Sequence, residues 1–157
     1  MKKTIGSLIL ALLIFLSLPA IGYDQASDLA PDFTLKDLTG QNVKLSSYRG
    51  KPVLLTFTTT WCPSCRAELP QLISIYSQYK DRGLVMFDIN IMEPHAKVLN
   101  FSQKRGINYP VLLDKDGKVA NSYGVIGVPS KIIVDRKGQI VCWNCPTFED
   151  KLKKLMH

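Results

Sequence analysis

Two pairs of cysteines share the spacing Cys-x-x-Cys, and together they account for all four cysteines of the 157-residue chain. Cys62 and Cys65 form the first pair, and Cys142 and Cys145 form the second. A bridge across so short a gap constrains the unfolded chain little, so it stabilises less than a bridge across a wide one. The spacing therefore predicts thiol chemistry rather than a disulfide-stapled scaffold.

The first pair lies where an apolar strand gives way to a helix. Residues 52–58 (PVLLTFT) are rich in strand formers, and apolar residues then follow at helical spacing. The first turn of a helix offers free N–H groups and a partial positive charge, which stabilise a thiolate. We expect Cys62, exposed at the helix start, to attack a substrate disulfide and Cys65, one turn deeper, to resolve the mixed disulfide. A zinc half-site or a structural bridge is the alternative.

The rest of the chain from residue 30 alternates between strand-like and helix-like segments. Strands are predicted over 33–35, 43–45, 52–58, 84–91, 111–113, 131–134 and 139–142. Helices are predicted over 62–79, 93–103, 119–123 and 148–156. This order predicts an α/β fold in which a central mixed sheet is flanked by helices on both faces.

Four motifs stand out along this pattern: Trp61-Cys62-Pro63-Ser64-Cys65, Glu68-Leu69-Pro70, Gly127-Val128-Pro129 and the opening Ala30-Pro31-Asp32-Phe33. Together they resemble the thioredoxin superfamily, and more narrowly its exported TlpA/ResA-type thiol–disulfide oxidoreductases. The resemblance covers residues 30–156. It implies one thioredoxin-like domain over residues 23–157, with an N-terminal β-hairpin extension.

The resemblance also implies roles for residues around the first cysteine pair. Pro129 is expected to follow a cis peptide bond and to face the disulfide, and Val128 to offer its backbone to an incoming substrate strand. Trp61 is expected to cover Cys62 and to contact the partner protein. The reaction is a two-electron exchange between dithiol and disulfide, for which no bound cofactor is expected.

Glu68 is the predicted proton acceptor. It follows Cys65 by three residues, so helical spacing places it beside the deeper sulfur, and in the resembled family this glutamate helps to move protons at the buried thiol. A carboxylate in a dry pocket can act as such a base; the alternative is a surface glutamate favoured by the helix dipole. Thr56 occupies the strand position where cytoplasmic thioredoxins carry a buried aspartate. Because threonine cannot take up a proton, Glu68 is expected to be the only nearby acceptor.

The second pair, Cys142 and Cys145, lies where the family pattern has no cysteines. A hairpin over 135–138 returns the chain, so Cys142 is expected to come back towards the active-site edge, about 10 Å to the side of the 52–58 strand. That distance is too long for a direct disulfide to the first pair. Three interpretations stay open: a second disulfide that steadies the C-terminal helix, a redox relay, and a metal site shared with the first pair.

Two rival functions use the same fold. A peroxiredoxin-like antioxidant needs a proline seven residues and a threonine or serine three residues before its reactive cysteine. Thr59 meets the second requirement, but Leu55 occupies the proline position. A copper-binding chaperone would need a histidine or methionine near the thiolates. His95 is expected to face solvent at a helix start, and Met86 and Met92 to pack in or beside a strand.

The N-terminus is typical of an export signal. Lys2 and Lys3 precede an uncharged stretch over 5–18, and small residues at 20 and 22 suit signal peptidase. Residues 1–22 are therefore predicted to be a signal peptide, with an uncleaved membrane anchor as the alternative. The domain is expected in the periplasm or another compartment outside the cytoplasm.

The composition and the resemblance indicate which classes of binding partner to expect. Apolar residues make up 46% of the chain, as expected of a folded domain, and the net charge of +7 is spread without blocks of like charge. Nucleic-acid binding is therefore disfavoured. The expected partners are protein thiols and disulfides as substrates and a membrane thiol–electron transporter as the electron donor. The protein is expected to be a monomer. The predicted activity is disulfide reduction, in cytochrome c maturation or general periplasmic thiol reduction.

Overall fold

The computed structural model describes residues 29–157, so the predicted signal segment lies outside the described residues. The strands are β1 (Thr34–Asp37), β2 (Asn42–Lys44), β3 (Val53–Thr58), β4 (Val85–Ile91), β5 (Val111–Asp114), β6 (Ser130–Val134) and β7 (Ile140–Trp143). The helices are α1 (Pro63–Tyr79), α2 (His95–Arg105), α3 (Lys118–Ser122) and α4 (Phe148–Leu155). Within residues 29–157, no helix is long and apolar enough to cross a bilayer.

The strands form a mixed sheet in the order β2-β1-β5-β4-β3-β6-β7. The central strand β3 runs parallel to β4 and antiparallel to β6, while β4 and β5 are parallel. The β1–β2 hairpin joins the sheet through antiparallel pairing of β1 with β5. The predicted mixed sheet with an N-terminal hairpin extension is confirmed.

Helices cover both faces of the sheet, as predicted. Leu54 of β3 packs in a cluster with Leu72 of α1 and Leu152 of α4. Its neighbour Leu55 packs in the opposite cluster, which contains Ala120 of α3. Because side chains alternate along a strand, β3 contributes to both layers of the core and is buried along its whole length.

The face of the sheet that packs against α1 changes from apolar to polar towards the carboxyl ends of β3 and β4. The parallel register brings together three buried pairs in succession: Leu54 with Met86, Thr56 with Asp88, and Thr58 with Asn90. Burying polar side chains lowers stability unless they find partners. These buried polar pairs therefore indicate that this end of the sheet has a chemical role as well as a role in packing.

The start of each of the first two helices is fixed by a proline. Pro63 is the first residue of α1, where its missing N–H costs nothing, and the helix runs on through Pro70. Helix α2 begins at His95, two residues later than predicted, because Pro94 precedes it in an extended conformation. This leaves Glu93 outside the helix, with its side chain buried near the active-site edge.

Candidate active site

The Cys62 thiol lies at the N-terminal end of α1, as the sequence predicted. Its Sγ accepts a hydrogen bond from the backbone N–H of Cys65 at 3.1 Å. An N–H donor at the positive end of a helix stabilises negative charge on sulfur. No bond joins the two sulfurs in this structure, which leaves both available as thiols. This geometry suits Cys62 to act as the nucleophile.

Both thiols are more enclosed than expected. Cys62 and Cys65 are each 4% exposed, so the prediction that Cys62 is exposed at the helix start is wrong. The loop before β6 causes the difference, because the Val128 carbonyl oxygen lies 3.7 Å from Cys62 Sγ and accepts a weak hydrogen bond from it. An incoming sulfur must approach beside this loop.

The loop opposite Cys62 contains a cis peptide bond between Val128 and Pro129, as the resemblance implied. Ser130 Oγ donates a hydrogen bond to the Gly127 carbonyl at 2.7 Å. The loop thus presents its backbone beside the nucleophile.

A groove of about 310 Å³ runs alongside the cis-proline loop. Its lining includes Trp61, Met92, Ile126 and Val128. Trp61 is 60% exposed and Ile126 is 97% exposed, which is unusual for large apolar side chains. Trp61 therefore flanks Cys62 and faces solvent rather than forming part of the core.

Glu68 is held in an ion pair. Both of its carboxylate oxygens lie 2.7 Å from Lys131 Nζ of β6, and the same ammonium lies 5.0 Å from the ring centre of Phe148. The Glu68 side chain is 28% exposed, so it does not occupy a dry pocket. Its action as the proton acceptor stays a prediction.

Asp88 is a second carboxyl group near the deeper thiol, and the sequence prediction missed it. It is buried in β4, accepts a hydrogen bond from Thr58 Oγ1 at 2.5 Å, and lines the same small cavity as Cys65. Burial raises the pKa of Asp88 to about 7, against the opposing effect of the hydrogen bond from Thr58. The prediction that Glu68 is the only nearby proton acceptor is therefore wrong.

The sequence does contain a feature that marks Asp88 as unusual. It interrupts an otherwise apolar strand, between Phe87 and Ile89. Only the parallel register of β3 and β4 shows that it lies beside Thr56, the position at which cytoplasmic thioredoxins carry a buried aspartate.

The Cys65 thiol resists ionisation. Burial raises its pKa, and the adjacent Cys62 and the negative charge of Asp88 act in the same direction. Because only the thiolate attacks a disulfide, Cys65 needs a base to remove its proton during the resolving step.

Glu93 fixes the segment that precedes Cys62. Its carboxylate accepts hydrogen bonds at 2.6 Å from both the backbone N–H and the hydroxyl of Thr60, and one from Asn90 at 2.9 Å. Lys97 Nζ lies 2.7 Å from the same group. Burial alone would raise the pKa of Glu93, but these contacts outweigh it and hold the pKa at about 2. Glu93 is thus an anionic anchor for the active-site loop.

The second cysteine pair forms a disulfide, with its Cα atoms 5.6 Å apart. Cys142 is buried opposite Ile133, which pairs in turn with Leu54 near the start of β3. The strand β7 returns towards the active-site edge, as predicted, and the single strand β6 separates it from β3. Across the described part of the chain, no three His, Cys, Asp or Glu side chains are arranged to hold a metal ion.

Asn144, one of the two residues between the cysteines of the second pair, connects that pair to the cis-proline loop. Asn144 adopts a positive φ of 47°, donates its backbone N–H to the Lys131 carbonyl at 2.8 Å, and accepts the Lys131 N–H at 2.6 Å. Its side-chain amide also donates to Ser130 Oγ at 3.0 Å. The disulfide loop therefore supports the strand that follows Pro129.

The residues of the rival functions do not form a peroxide pocket or a copper site around Cys62. Leu55 is fully buried in the core, so it cannot shape a peroxide pocket. His95 begins α2, as predicted, and its Nε2 lies 2.9 Å from the Leu38 carbonyl oxygen. Met86 is buried in β4, and Met92 is exposed just after it.

Residues 26–142 match the AhpC/TSA family. The chain belongs to the AhpC/TSA family. Among curated members, it is 32% identical to the thiol-disulfide oxidoreductase ResA of Geobacillus thermodenitrificans over 152 residues, which is 89% of this chain and 87% of that protein.

Solved structures agree with the thioredoxin fold. The thioredoxin domain of a thiol-disulfide oxidoreductase from Bacteroides vulgatus matches with a TM-score of 0.76 at 28% identity, covering 84% of this chain and 99% of that one. A thiol:disulfide interchange protein of the thioredoxin family from Chlorobium tepidum matches with a TM-score of 0.73 at 26% identity, covering 85% and 99%. The chain is a thiol–disulfide oxidoreductase.

Proposed function

We propose that this oxidoreductase works outside the cytoplasm as a reductase of protein disulfides. The observation that carries the proposal is the Cys62–Cys65 dithiol at the start of α1, with Cys62 Sγ 3.7 Å from the carbonyl of the residue before the cis-proline. A free dithiol at a helix N-terminus can donate two electrons to a substrate disulfide.

In this mechanism the Cys62 thiolate attacks one sulfur of the substrate disulfide and releases the other as a thiolate. The Cys65 thiolate then attacks Cys62 Sγ, which forms the Cys62–Cys65 disulfide and releases the second substrate thiolate. The enzyme dithiol is oxidised by two electrons and the substrate disulfide is reduced by two. A membrane thiol–electron transporter is the proposed donor that restores the dithiol.

The substrate proposed for the site is an extended polypeptide segment that contains the disulfide. The Val128 backbone offers hydrogen-bonding groups to such a segment, as in β-strand addition, and Pro129 faces the disulfide. Exposed Trp61 is placed to contact the neighbouring residues of the partner. Apocytochrome c cysteines, which the resembled branch often reduces, fit this description, as do disulfides of other exported proteins.

Export rests on the N-terminal sequence. The positive start, the uncharged stretch and the small residues at 20 and 22 direct the chain through the membrane. The mature domain is then soluble in the periplasm after cleavage, or tethered there by an uncleaved anchor.

The first prediction tests the roles of the two active-site cysteines. We expect Cys62→Ser to abolish reduction of insulin disulfides, because the nucleophile is lost. We expect Cys65→Ser to trap the mixed disulfide, which non-reducing electrophoresis detects as an adduct of enzyme and substrate. The Cys142→Ser/Cys145→Ser double variant, which leaves the first pair intact, is the control and should retain reduction. Full activity in Cys62→Ser would refute the mechanism.

The direction of electron flow is tested by the reduction potential of the Cys62–Cys65 pair. A value near that of thioredoxin, about −270 mV, is expected for a reductase, whereas a value near −120 mV is typical of an oxidant. Equilibration with glutathione or dithiothreitol buffers measures it.

A further inference from the structure

Asp88 is a buried titratable group that the exchange mechanism above does not use. It lies within β4, opposite Thr56, on the face of the sheet that packs against α1. Its hydrogen-bond donor is the hydroxyl of Thr58. A carboxyl in such surroundings costs stability when it ionises, so its position calls for a chemical explanation.

Asp88 and Cys65 line one cavity of about 10 Å³, together with Thr58, Thr59, Leu69 and Phe101. That volume is on the order of the space that one water molecule needs. Thr59 Oγ1 is buried and pairs with no other protein group in the described part of the chain. A water in this cavity would therefore have a thiol, a carboxyl and a hydroxyl as polar neighbours.

We propose that Asp88 accepts the proton of Cys65, through one water molecule in this cavity, when Cys65 resolves the mixed disulfide. The inference rests on the proposed function. Cys65 S–H gives its proton to the water, which passes a proton to the Asp88 carboxylate. The Cys65 thiolate then forms the bond to Cys62 Sγ as the bond from Cys62 to the substrate sulfur breaks. That sulfur leaves as a thiolate and is protonated by solvent.

The charges around Asp88 suit this role. The titratable groups that face it are Cys65 from α1, Glu93 from the segment after β4, and Tyr109 from the segment before β5. Burial raises the pKa of Tyr109, so it stays neutral. The negative charge of Glu93 adds to the effect of burial and brings the pKa of Asp88 to about 7. A base with this pKa can both take and return a proton near neutral pH.

Glu68 is less suited to the same task. Lys131 holds both of its oxygens at 2.7 Å, so that its lone pairs are directed towards an ammonium group. Glu68 is also absent from the lining of the cavity that contains Cys65. The hypothesis that Asp88 accepts the proton and the hypothesis that Glu68 accepts it therefore predict opposite results for a pair of variants.

The test compares Asp88→Asn with Glu68→Gln, each of which replaces an ionisable carboxyl by a neutral amide of nearly the same size. Two rates are measured with a fluorescent peptide disulfide. Capture by Cys62 is measured in a Cys65→Ser background, and release from the mixed disulfide is measured with both cysteines present. We expect Asp88→Asn to slow the release of substrate about 100-fold at pH 7. The inflection near neutral pH in the plot of release rate against pH should also disappear. The rate of capture should be unchanged. Glu68→Gln should keep the inflection.

The proposal is overturned if Asp88→Asn releases substrate with the wild-type rate and pH profile, or if Glu68→Gln alone removes the inflection. Absence of capture in the Cys65→Ser protein itself would instead refute the proposed function, so the two failures are distinguishable. Should Asp88→Asn not fold, carbon-13 titration of the aspartate carboxyls in the wild-type dithiol decides the question. Titration of Asp88 near neutral pH supports the proposal, and titration at an ordinary acidic pH overturns it.

Discussion

Glu93 illustrates how one side chain can fix the geometry of the nucleophile without touching it. Its carboxylate binds Thr60 twice, and Thr60 lies two residues before Cys62. Contacts from Asn90 and Lys97 offset the free-energy cost of burying the Glu93 carboxylate. The position of Cys62 therefore depends on a residue from the end of the neighbouring strand.

We predict that Glu93→Gln destabilises the protein at pH 7 by about 2 kcal/mol, the usual contribution of hydrogen bonds to a charged group. The pKa of Glu93 is about 2 in the folded state, below its ordinary 4.5. Its ionisation therefore stabilises the fold above pH 4.5, and this contribution is lost as the pH falls towards 2. Thermal unfolding at pH 7 and pH 3 measures the effect.

The wild type and Glu93→Gln should accordingly converge in stability as the solution is acidified. The exposed Asp150 provides the matched control, since Asp150→Asn removes a carboxylate that binds nothing buried. An equal difference between wild type and Glu93→Gln at both pH values would contradict the explanation.

At the residue scale, the sequence located the groups whose roles follow from local spacing. Cys62 and Cys65 were predictable because a strand-to-helix junction is visible in the local pattern. Asp88 was not, because its relation to Cys65 depends on which strand lies beside β3. The partner of Glu68 was hidden for the same reason, since Lys131 lies 63 residues further along the chain.

At the scale of elements, the loop between β7 and α4 combines a disulfide with a residue in the left-handed region. Asn144 has a φ of 47° and makes hydrogen bonds to both Ser130 and Lys131. Ser130 directly follows the cis-proline, and Lys131 binds Glu68. The second disulfide therefore closes a loop that braces two parts of the active site.

We predict that the Cys142→Ala/Cys145→Ala variant loses roughly 2 kcal/mol of stability, as expected from the entropy of so short a closed loop. It should still reduce insulin, because the dithiol at Cys62 and Cys65 is untouched. Denaturant unfolding, with and without reductant for the wild type, measures the loss. Addition of reductant should lower the stability of the wild type more than that of the variant, in which only the Cys62–Cys65 pair responds to it.

A matched variant separates the disulfide from the hydrogen bonds of the loop. Asn144→Gly keeps the positive φ, which glycine adopts easily, but removes the side-chain contacts to Ser130 and Lys131. If the disulfide is structural, both variants transfer electrons with the wild-type stoichiometry. A wild type that accepts twice the electrons of the Cys142→Ala/Cys145→Ala variant during turnover would instead establish a relay.

The bounds of the elements were largely predictable, because they depend on local patterns. The strands and helices begin and end within about two residues of expectation, and the later start of α2 follows from Pro94. The order of the strands was not predicted in full. β5 lies between β1 and β4, an arrangement of long-range pairing that no local periodicity encodes.

At the scale of the whole molecule, exposed apolar side chains gather on the edge that carries Cys62. Trp61, Met92 and Ile126 are exposed by 60%, 68% and 97%, and all three line the groove beside Val128. They belong to three separate segments, so their proximity results from the fold alone. A contiguous apolar surface beside a reactive thiol is suited to binding the residues that flank a substrate cysteine.

We predict that Ile126→Ser lowers kcat/KM for protein disulfides about tenfold, which corresponds to about 1.4 kcal/mol and is within the range for burial of one apolar side chain. Ile126 is almost fully exposed, so its replacement should leave the melting temperature unchanged. The loss should be much smaller with oxidised glutathione, which offers the groove little apolar surface. Steady-state kinetics with insulin and with glutathione give the two ratios.

The control for this experiment is Leu29→Ser, since Leu29 is also exposed but lies outside the lining of the groove. It should leave both ratios unchanged. An equal loss with insulin and glutathione in Ile126→Ser would show that the substitution disturbs Cys62 itself. Selective loss with insulin would establish that the molecule recognises the polypeptide around the disulfide, so that its specificity resides in the groove and its chemistry in the dithiol.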